Sequence, residues 1–359
     1  MGRGSPGGVI MNAERIKSAG IAALSAAVLF TGCSNINPNA TLVTVNDGKG
    51  TKETISLGYG NFVARYQQSM NDLYLMPYYG EGMWKTDMTG TGTTLEETTK
   101  DGVLKDLEEQ YLAKKHAADY KVELTDDQNK AIADAAAKFV SDNSAETLEA
   151  MGATEDYVKQ YLEEKTIYSL VSDAAKKEAD PDISDEDCWM RKFTYVVFDT
   201  TGTTDENGAV VEYTDDEIAE MKSNAKKLSK SDDFDATVEE LGATASTFSY
   251  LKGEDADDTM DMTIIDAAEK LSEGDVSDVI EVDGVGYYVI RLDADHDEDA
   301  SKTKRESLQT EAFNKLMDGW KEEITWKVND KAWDKVKFDS LFKAPEEATE
   351  ETTEETEAE

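Results

Sequence analysis

Cysteine and histidine are scarce in this sequence. The 359 residues include two cysteines and two histidines, which stand at Cys33, Cys188, His116 and His296. A single thiol without a histidine nearby is a weak indication of a nucleophile, so the sequence does not favour cysteine catalysis. We interpret Cys188 as a small, partly buried residue, and we expect both histidines at the surface.

Positive charge is scarce as well. The chain carries 37 Lys and Arg against 77 Asp and Glu, a formal net charge of -40. Such a surface repels the phosphates of nucleic acids and of anionic lipids, so we expect no nucleic-acid partner. A solvated acidic exterior is the simpler interpretation of the charge. The length favours two domains, and a hydrophobic content of 39% is adequate for folding.

The apolar run nearest the N-terminus, Ala19 to Phe30, is short. It cannot span a bilayer as a mature helix, but it has the length of a signal-peptide core, and basic Arg15 and Lys17 precede it. The run ends in Leu-Phe-Thr-Gly before Cys33, which resembles a bacterial lipobox. This resemblance implies removal of residues 1–32 and a lipid anchor on Cys33, at the extracytoplasmic face of the cell membrane.

Two alternatives stay open for this segment. It is either a lipoprotein signal or a plain secretory signal with an incidental cysteine. The start is either Met1 or Met11, because residues 1–10 add nothing to the signal pattern. A lipidated Cys33 leaves Cys188 without a disulfide partner, so the fold must then depend on its hydrophobic core.

Residues 55–187 have the pattern of several amphipathic helices. Their apolar side chains recur at spacings of three and four. Thr125, followed three residues later by Gln128, predicts a capping box at the start of one helix. We interpret the apolar stripes as core rather than as cofactor contacts. A polar tether with one short strand precedes this helical module at residues 33–54.

Residues 188–293 predict a compact α+β unit. Lys192 to Asp199 reads as a central strand, and two helices, a strand and a third helix follow. The segment Leu271 to Leu292, LSEGDVSDVIEVDGVGYYVIRL, then predicts a hairpin with Asp283-Gly284 as a two-residue turn. Two segments remain: residues 301–342 are too apolar to be free and should pack on the N-terminal helices, whereas residues 343–359 form an acidic tail expected to be disordered.

The hairpin segment, with Asp233-Phe234-Asp235 opening a short helix, resembles the parvulin family of peptidyl-prolyl cis-trans isomerases. The flanks resemble extracytoplasmic foldases of the PrsA and SurA type. The resemblance implies an α+β fold, in which an all-α chaperone module of N- and C-terminal helices holds an inserted parvulin-like antiparallel-sheet domain flanked by helices. It implies unfolded or newly secreted polypeptides, bound at X-Pro segments, as partners, and no cofactor or metal.

The resemblance also implies a site. The two histidines of the family correspond to Thr194 and Tyr288, whose hydroxyls donate and accept hydrogen bonds in place of imidazoles. The apolar bowl for the prolyl ring is expected to consist of Phe248, Tyr250, Met260 and Ile264. The alternative is that these residues merely fill the core.

Three functions therefore stay open. The first is a membrane-anchored foldase whose isomerase site is weakened by the loss of both histidines. The second is a non-catalytic holdase chaperone with an inert parvulin-like domain. The third is a solute-capturing lipoprotein. A homodimer is compatible with all three.

Overall fold

The computed structural model describes residues 36–204 and 208–343. The chain divides into two compact units. Unit 1 comprises the chain up to Lys176 and from Phe313 onward, and unit 2 spans Lys177–Ala312. The predicted signal segment of residues 1–32, the lipidation site Cys33 and the acidic tail beyond residue 343 lie outside the described residues.

Unit 1 packs helices around a three-stranded antiparallel sheet, in which Thr41–Asn46 (β1) lies between Lys52–Ser56 (β2) and Thr325–Val328 (β9). Its elements before Lys177 are β1 (Thr41–Asn46), β2 (Lys52–Ser56), α1 (Leu57–Tyr74), α2 (Met76–Tyr79), α3 (Leu95–His116), α4 (Asp126–Asp142), α5 (Ala145–Met151) and α6 (Glu155–Ala179). The capping box expected at Thr125 is confirmed at the start of α4. The sequence indicated only one strand here, because β2 is mostly exposed and β9 has four residues.

The C-terminal segment packs into the core of the N-terminal helices. Trp333 and Phe338 lie in the same buried cluster as Phe62 of α1. Lys100 of α3 is buried, and its ammonium donates to the carbonyls of Trp333 at 3.2 Å and of Val336 at 2.9 Å. Apolar burial and backbone hydrogen bonds together hold this segment.

A buried polar network ties α1 to the C-terminal segment. Arg65 donates to the Lys337 carbonyl at 2.8 Å. The Asp72 carboxylate accepts from the Trp84 indole at 2.7 Å, from Gln68 at 3.0 Å and from the Phe342 backbone N–H at 3.0 Å. Burial nevertheless dominates, and it raises the pKa of Asp72 to about 6 from an ordinary value of 3.8.

Unit 2 is built on a four-stranded antiparallel sheet with strand order β6-β3-β8-β7. Its elements, and those that complete the chain, are β3 (Met190–Asp199), β4 (Thr203–Thr204), β5 (Val210–Val211), α7 (Asp215–Leu228), α8 (Phe234–Glu240), β6 (Ala245–Leu251), α9 (Met262–Ala268), β7 (Ile280–Val282), β8 (Gly286–Ala294), α10 (Glu298–Glu322), β9 (Thr325–Val328) and α11 (Asp330–Trp333). The central position predicted for the first strand is confirmed. The fold class, α+β with helices flanking an antiparallel sheet, is confirmed as well.

The hairpin between β7 and β8 differs by one residue from the prediction. Val282 pairs with Gly286, so the connection has three residues instead of two. Gly284 adopts a φ of 74° within it, and Gly286 follows at 146°. A side chain at Gly286 would meet the Phe198 carbonyl oxygen, 2.2 Å from an added Cβ. Glycine therefore permits the close approach of β8 to β3 at this end of the sheet.

The raised pKa of Asp72 predicts that this carboxyl makes unit 1 less stable as the pH rises. Between about pH 4 and 6 the folded state holds a proton that the unfolded state has lost, so raising the pH favours unfolding by up to about 3 kcal/mol. Asp72→Asn cannot titrate, so the stability of the native protein relative to this variant should fall from pH 4 to 7. Urea unfolding at pH 4 and pH 7 measures the free energy of unfolding of both proteins. A difference between them that stays the same at the two pH values would contradict the prediction.

Candidate functional site

Strand pairing decides which side chains of the unit 2 sheet share a face. Across β3 and β8, Phe193 lies opposite Leu292, and Tyr195 lies opposite Ile290. Tyr288 lies two residues from Ile290 along β8, so its side chain points to the same side of the sheet. Helix α9 covers this side, which we call the α9 face, whereas α7 and α8 cover the other.

The floor of the α9 face is sealed. Phe193, Ile264 and Ile290 are at most 1% exposed. Tyr250 is equally buried, and its hydroxyl accepts a hydrogen bond from Arg191 at 3.1 Å. Ile264 and Tyr250, both predicted to line the bowl, thus belong to the packed layer beneath it.

Four half-buried side chains lie above this floor, and we call them the bowl: Tyr195, Phe248, Met260 and Tyr288. The rings of Tyr195 and Tyr288 lie 6.0 Å apart at 32°. Phe248 rests on the Phe193 floor with ring centroids 5.6 Å apart. Three of the predicted site residues are therefore brought together: Phe248, Met260 and Tyr288.

Tyr288 keeps its proton at physiological pH. Burial raises the pKa of its hydroxyl, and the neighbouring Tyr195, Asp199 and Asp261 raise it further. An un-ionised phenol both donates and accepts hydrogen bonds. The bowl thus offers a polar hydroxyl beside apolar and aromatic surface.

Thr194 does not belong to the bowl, and this corrects the prediction. It lies on the opposite face, where its hydroxyl donates to Asp293 at 2.5 Å. Arg291 also donates to Asp293, and it bonds Asp235 of α8, both at 2.8 Å. Successive side chains of a strand point to opposite faces, so an assignment displaced by one residue selects the wrong side.

Tyr195 is the residue that the sequence reasoning missed. It occupies the α9 face next to Tyr288, where the prediction had placed Thr194. The signal was present in the spacing, because Phe193 and Tyr195 are two residues apart and must share a face. An apolar strand covered on both sides hides this alternation, since both faces carry hydrophobic side chains.

A buried arginine anchors α9 beneath the bowl. Arg191 is 2% exposed, and its guanidinium donates to the carbonyls of Ala268 at 3.1 Å and Leu271 at 2.8 Å. It also pairs with Glu269 at 3.2 Å. At the start of α9, the Asp261 side chain accepts a hydrogen bond from the Thr263 backbone N–H and caps the helix. These contacts hold the helix that carries Ile264 against the sheet.

Both histidines stack on tryptophans. His296 is exposed, as expected, and lies 4.3 Å from the Trp189 ring in unit 2. The surface position expected for His116 is wrong, since its side chain is 12% exposed and stacks on Trp320 at 4.3 Å in unit 1. His116 lies at a polar position at the end of the amphipathic helix α3. Sequence spacing does not show that Trp320, which is distant in the chain, packs over this position.

Known proteins with similar sequences are foldases. A foldase protein PrsA of Clostridium botulinum (strain Loch Maree / Type A3) is 22% identical over 333 residues, covering 84% of this chain and 93% of the relative. One of Clostridium tetani is 28% identical over 209 residues, covering 54% of this chain and 59% of the relative. No family model matches the chain. The predicted resemblance to foldases of the PrsA type is confirmed.

Solved structures give a looser likeness. The crystal structure of foldase protein PrsA from Lactococcus lactis is 13% identical, covers 83% of this chain and 97% of its own, and has a TM-score of 0.30. That from Streptococcus pneumoniae is 19% identical, covers 70% and 97%, and has a TM-score of 0.27. Scores this low carry no argument, so the fold class rests on the sheets and helices described above.

Proposed function

We propose that this protein is an extracytoplasmic, membrane-anchored folding factor that accelerates cis-trans isomerisation of X-Pro bonds in secreted polypeptides. The observation that carries the proposal is the bowl on the α9 face, which combines apolar surface with two tyrosine hydroxyls. Sequence relatives named Foldase protein PrsA support a role in protein folding. Residues 188–293 would form the isomerase domain, and residues 55–187 with 301–342 the chaperone module.

The bowl matches the physical demand of the reaction. Rotation about an amide is opposed by roughly 18–20 kcal/mol, and X-Pro bonds exchange in tens of seconds or more. A catalyst forms no bond here but must favour the twisted amide. Phe248 and Met260 offer apolar surface to the prolyl ring and exclude water, which stabilises the planar amide. Tyr195 and Tyr288 offer hydroxyls to the rotating amide.

A second candidate function rests on unit 1. Three tyrosines near the end of α1 are unusually exposed: Tyr74 at 67%, Tyr78 at 83% and Tyr79 at 58%. Exposed aromatic groups of this kind mark interaction surfaces. They favour a holdase that binds unfolded chains without catalysis. Such a holdase needs no bowl, so the two candidates are separable by mutation.

The membrane anchor belongs to the proposal through Cys33. Within residues 36–204 and 208–343, no helix is long and apolar enough to cross a bilayer. The proposed attachment is a lipid on Cys33, at the end of the lipobox-like segment. Two acyl chains give stable attachment, whereas one gives marginal binding.

We predict that Tyr288→Phe lowers kcat/KM for isomerisation of a short X-Pro peptide about five- to tenfold. The loss of one hydrogen bond worth about 1 kcal/mol accounts for this size. Tyr195→Phe should act similarly. The measurement is a protease-coupled assay on purified protein.

Thr194→Val is the matched control for these tyrosine variants. It removes a hydroxyl from the neighbouring residue of the same strand but on the opposite face, so the rate should stay at the native value. A native rate equal to the uncatalysed rate would discard the isomerase proposal. If Thr194→Val loses activity and the tyrosine variants do not, the active site lies on the face of the sheet opposite the α9 face.

For the holdase candidate, we predict that replacing Tyr74, Tyr78 and Tyr79 together by Ser abolishes suppression of aggregation of an unfolded client. The exposed rings supply the apolar contact, so the isomerisation rate should not change. Val210→Ser with Val211→Ser is the control, because these residues are also exposed, at 70% and 50%, but lie in unit 2. Light scattering measures aggregation of the client. If the triple variant still suppresses aggregation fully, the three tyrosines do not form the binding surface.

For the anchor, we predict that Cys33→Ala abolishes incorporation of labelled fatty acid and releases the protein from the membrane fraction. Acylation requires the cysteine sulfur, so serine at this position should behave in the same way. Fractionation of cells with immunoblotting is the measurement. Membrane retention of an unlabelled Cys33→Ala protein would show that another segment holds it.

A further inference from the structure

Strand β2 forms an open edge of the unit 1 sheet. It pairs with β1 alone among the described strands. The carbonyl of Leu42 accepts from the Asn329 N–H at 2.8 Å on the β9 side. Backbone groups alternate in direction along a strand, so Val43 and Val45 of β1 direct theirs toward β2.

This alternation determines which β2 backbone groups are unpaired. Val43 lies opposite Ile55, and Val45 lies opposite Glu53. The backbone N–H and C=O groups of Ile55 and Glu53 therefore bond to β1. The N–H and C=O groups of Thr54, between them, point away from β1 and out of the sheet. An edge of this kind is a template for another extended chain.

A cavity of about 370 Å³ opens beside this edge. Its walls come from Thr54 and Ile55 of β2, Val45 of β1 and Leu107 of α3. The volume lies at the lower end of the range for ligand sites, about 300–1,000 Å³, and is ample for one large side chain. The apolar part of the wall, which includes Ile55 and Tyr111, can receive an aliphatic or aromatic group beside the polar part.

The polar part of the cavity is structurally fixed and balanced in charge. Glu164 of α6 accepts from the buried Tyr59 hydroxyl at 2.7 Å and from Gln160 at 3.1 Å, and Lys114 lies 3.8 Å from it. Glu53 and Lys115 also line the cavity and add one charge of each sign. The cavity thus offers no net charge in a chain of net charge -40.

We propose that β2 and this cavity bind an extended segment of uncharged polypeptide, which adds as a strand to β2 and places one apolar side chain in the cavity. The outward N–H and C=O of Thr54 match the backbone of an extended chain, and the cavity lies on the face where alternate side chains of such a strand would point. This site lies in unit 1 and is independent of the proposed isomerase bowl in unit 2.

The test uses Thr54→Pro in the full chain. Proline removes the outward N–H, and an edge strand tolerates it because no ladder hydrogen bond is lost. Thr54→Val keeps the N–H and is the control. The probe is a fluorescein-labelled, acetylated and amidated heptapeptide of threonines with one central leucine. We expect at least tenfold weaker binding to Thr54→Pro by anisotropy, native binding to Thr54→Val, and weaker binding when alanine replaces the central leucine.

A second measurement remains informative if Thr54→Pro does not fold. Hydrogen exchange of the Thr54 amide in the native protein should slow when the peptide is added. Unchanged exchange, or equal binding by the proline variant, would overturn the proposal. Competition by free leucine as strong as by the peptide would also overturn it, in favour of a solute site. If the native protein is a dimer that binds no peptide, and Thr54→Pro dissociates it, the occupant of the β2 edge is a second copy of the chain and the peptide proposal is wrong. The peptide lacks proline, so failure here leaves the isomerase proposal untouched.

Discussion

The antiparallel pairing of β3 with β8 is the constraint on which the rest of unit 2 depends. Because each strand is covered on both sides, its alternate side chains build two different layers. One layer, with Phe193 and Ile290, carries the floor under the bowl. The other, with Val196 and Val289, packs against α7 and α8. A shift of one residue in this pairing would exchange the two layers and move Tyr195 away from Tyr288.

Buried cations serve a similar structural purpose in both units. Arg191 donates to carbonyls at the end of α9 and thereby holds that helix on the sheet. Arg65 and Lys100 donate to carbonyls of the C-terminal segment in unit 1. In each case a charged side chain ties two segments together through backbone carbonyls, and those of Ala268 and Trp333 also accept from backbone N–H groups. Removing such a cation would break several hydrogen bonds at once, which costs more than one lost contact.

The proposed chemistry depends on this packing more than on any reactive group. An amide rotates faster when its twisted form is favoured over the planar one, and neither a nucleophile nor a metal is required for that. The bowl provides apolar surface and hydroxyls, and the rigid floor beneath keeps them in place. A phenol both donates and accepts hydrogen bonds, and the raised pKa of Tyr288 keeps its hydroxyl neutral. The unit 1 edge and cavity add a separate surface for an extended chain.

The sequence alone determined the start of α4, the central strand of unit 2, the α+β class and the resemblance to foldases, because capping residues, apolar periodicity and turn residues act locally. It also singled out Phe248, Met260 and Tyr288, which lie in one cluster with Tyr195 on the α9 face. Only the tertiary structure decided that Tyr195 replaces Thr194 there, because a strand that is apolar on both sides gives no sign of which face is which. Strand β9 likewise emerged only through its pairing with β1 across nearly the whole chain, for which local sequence carries no signal, whereas β2 pairs with β1 as a local hairpin.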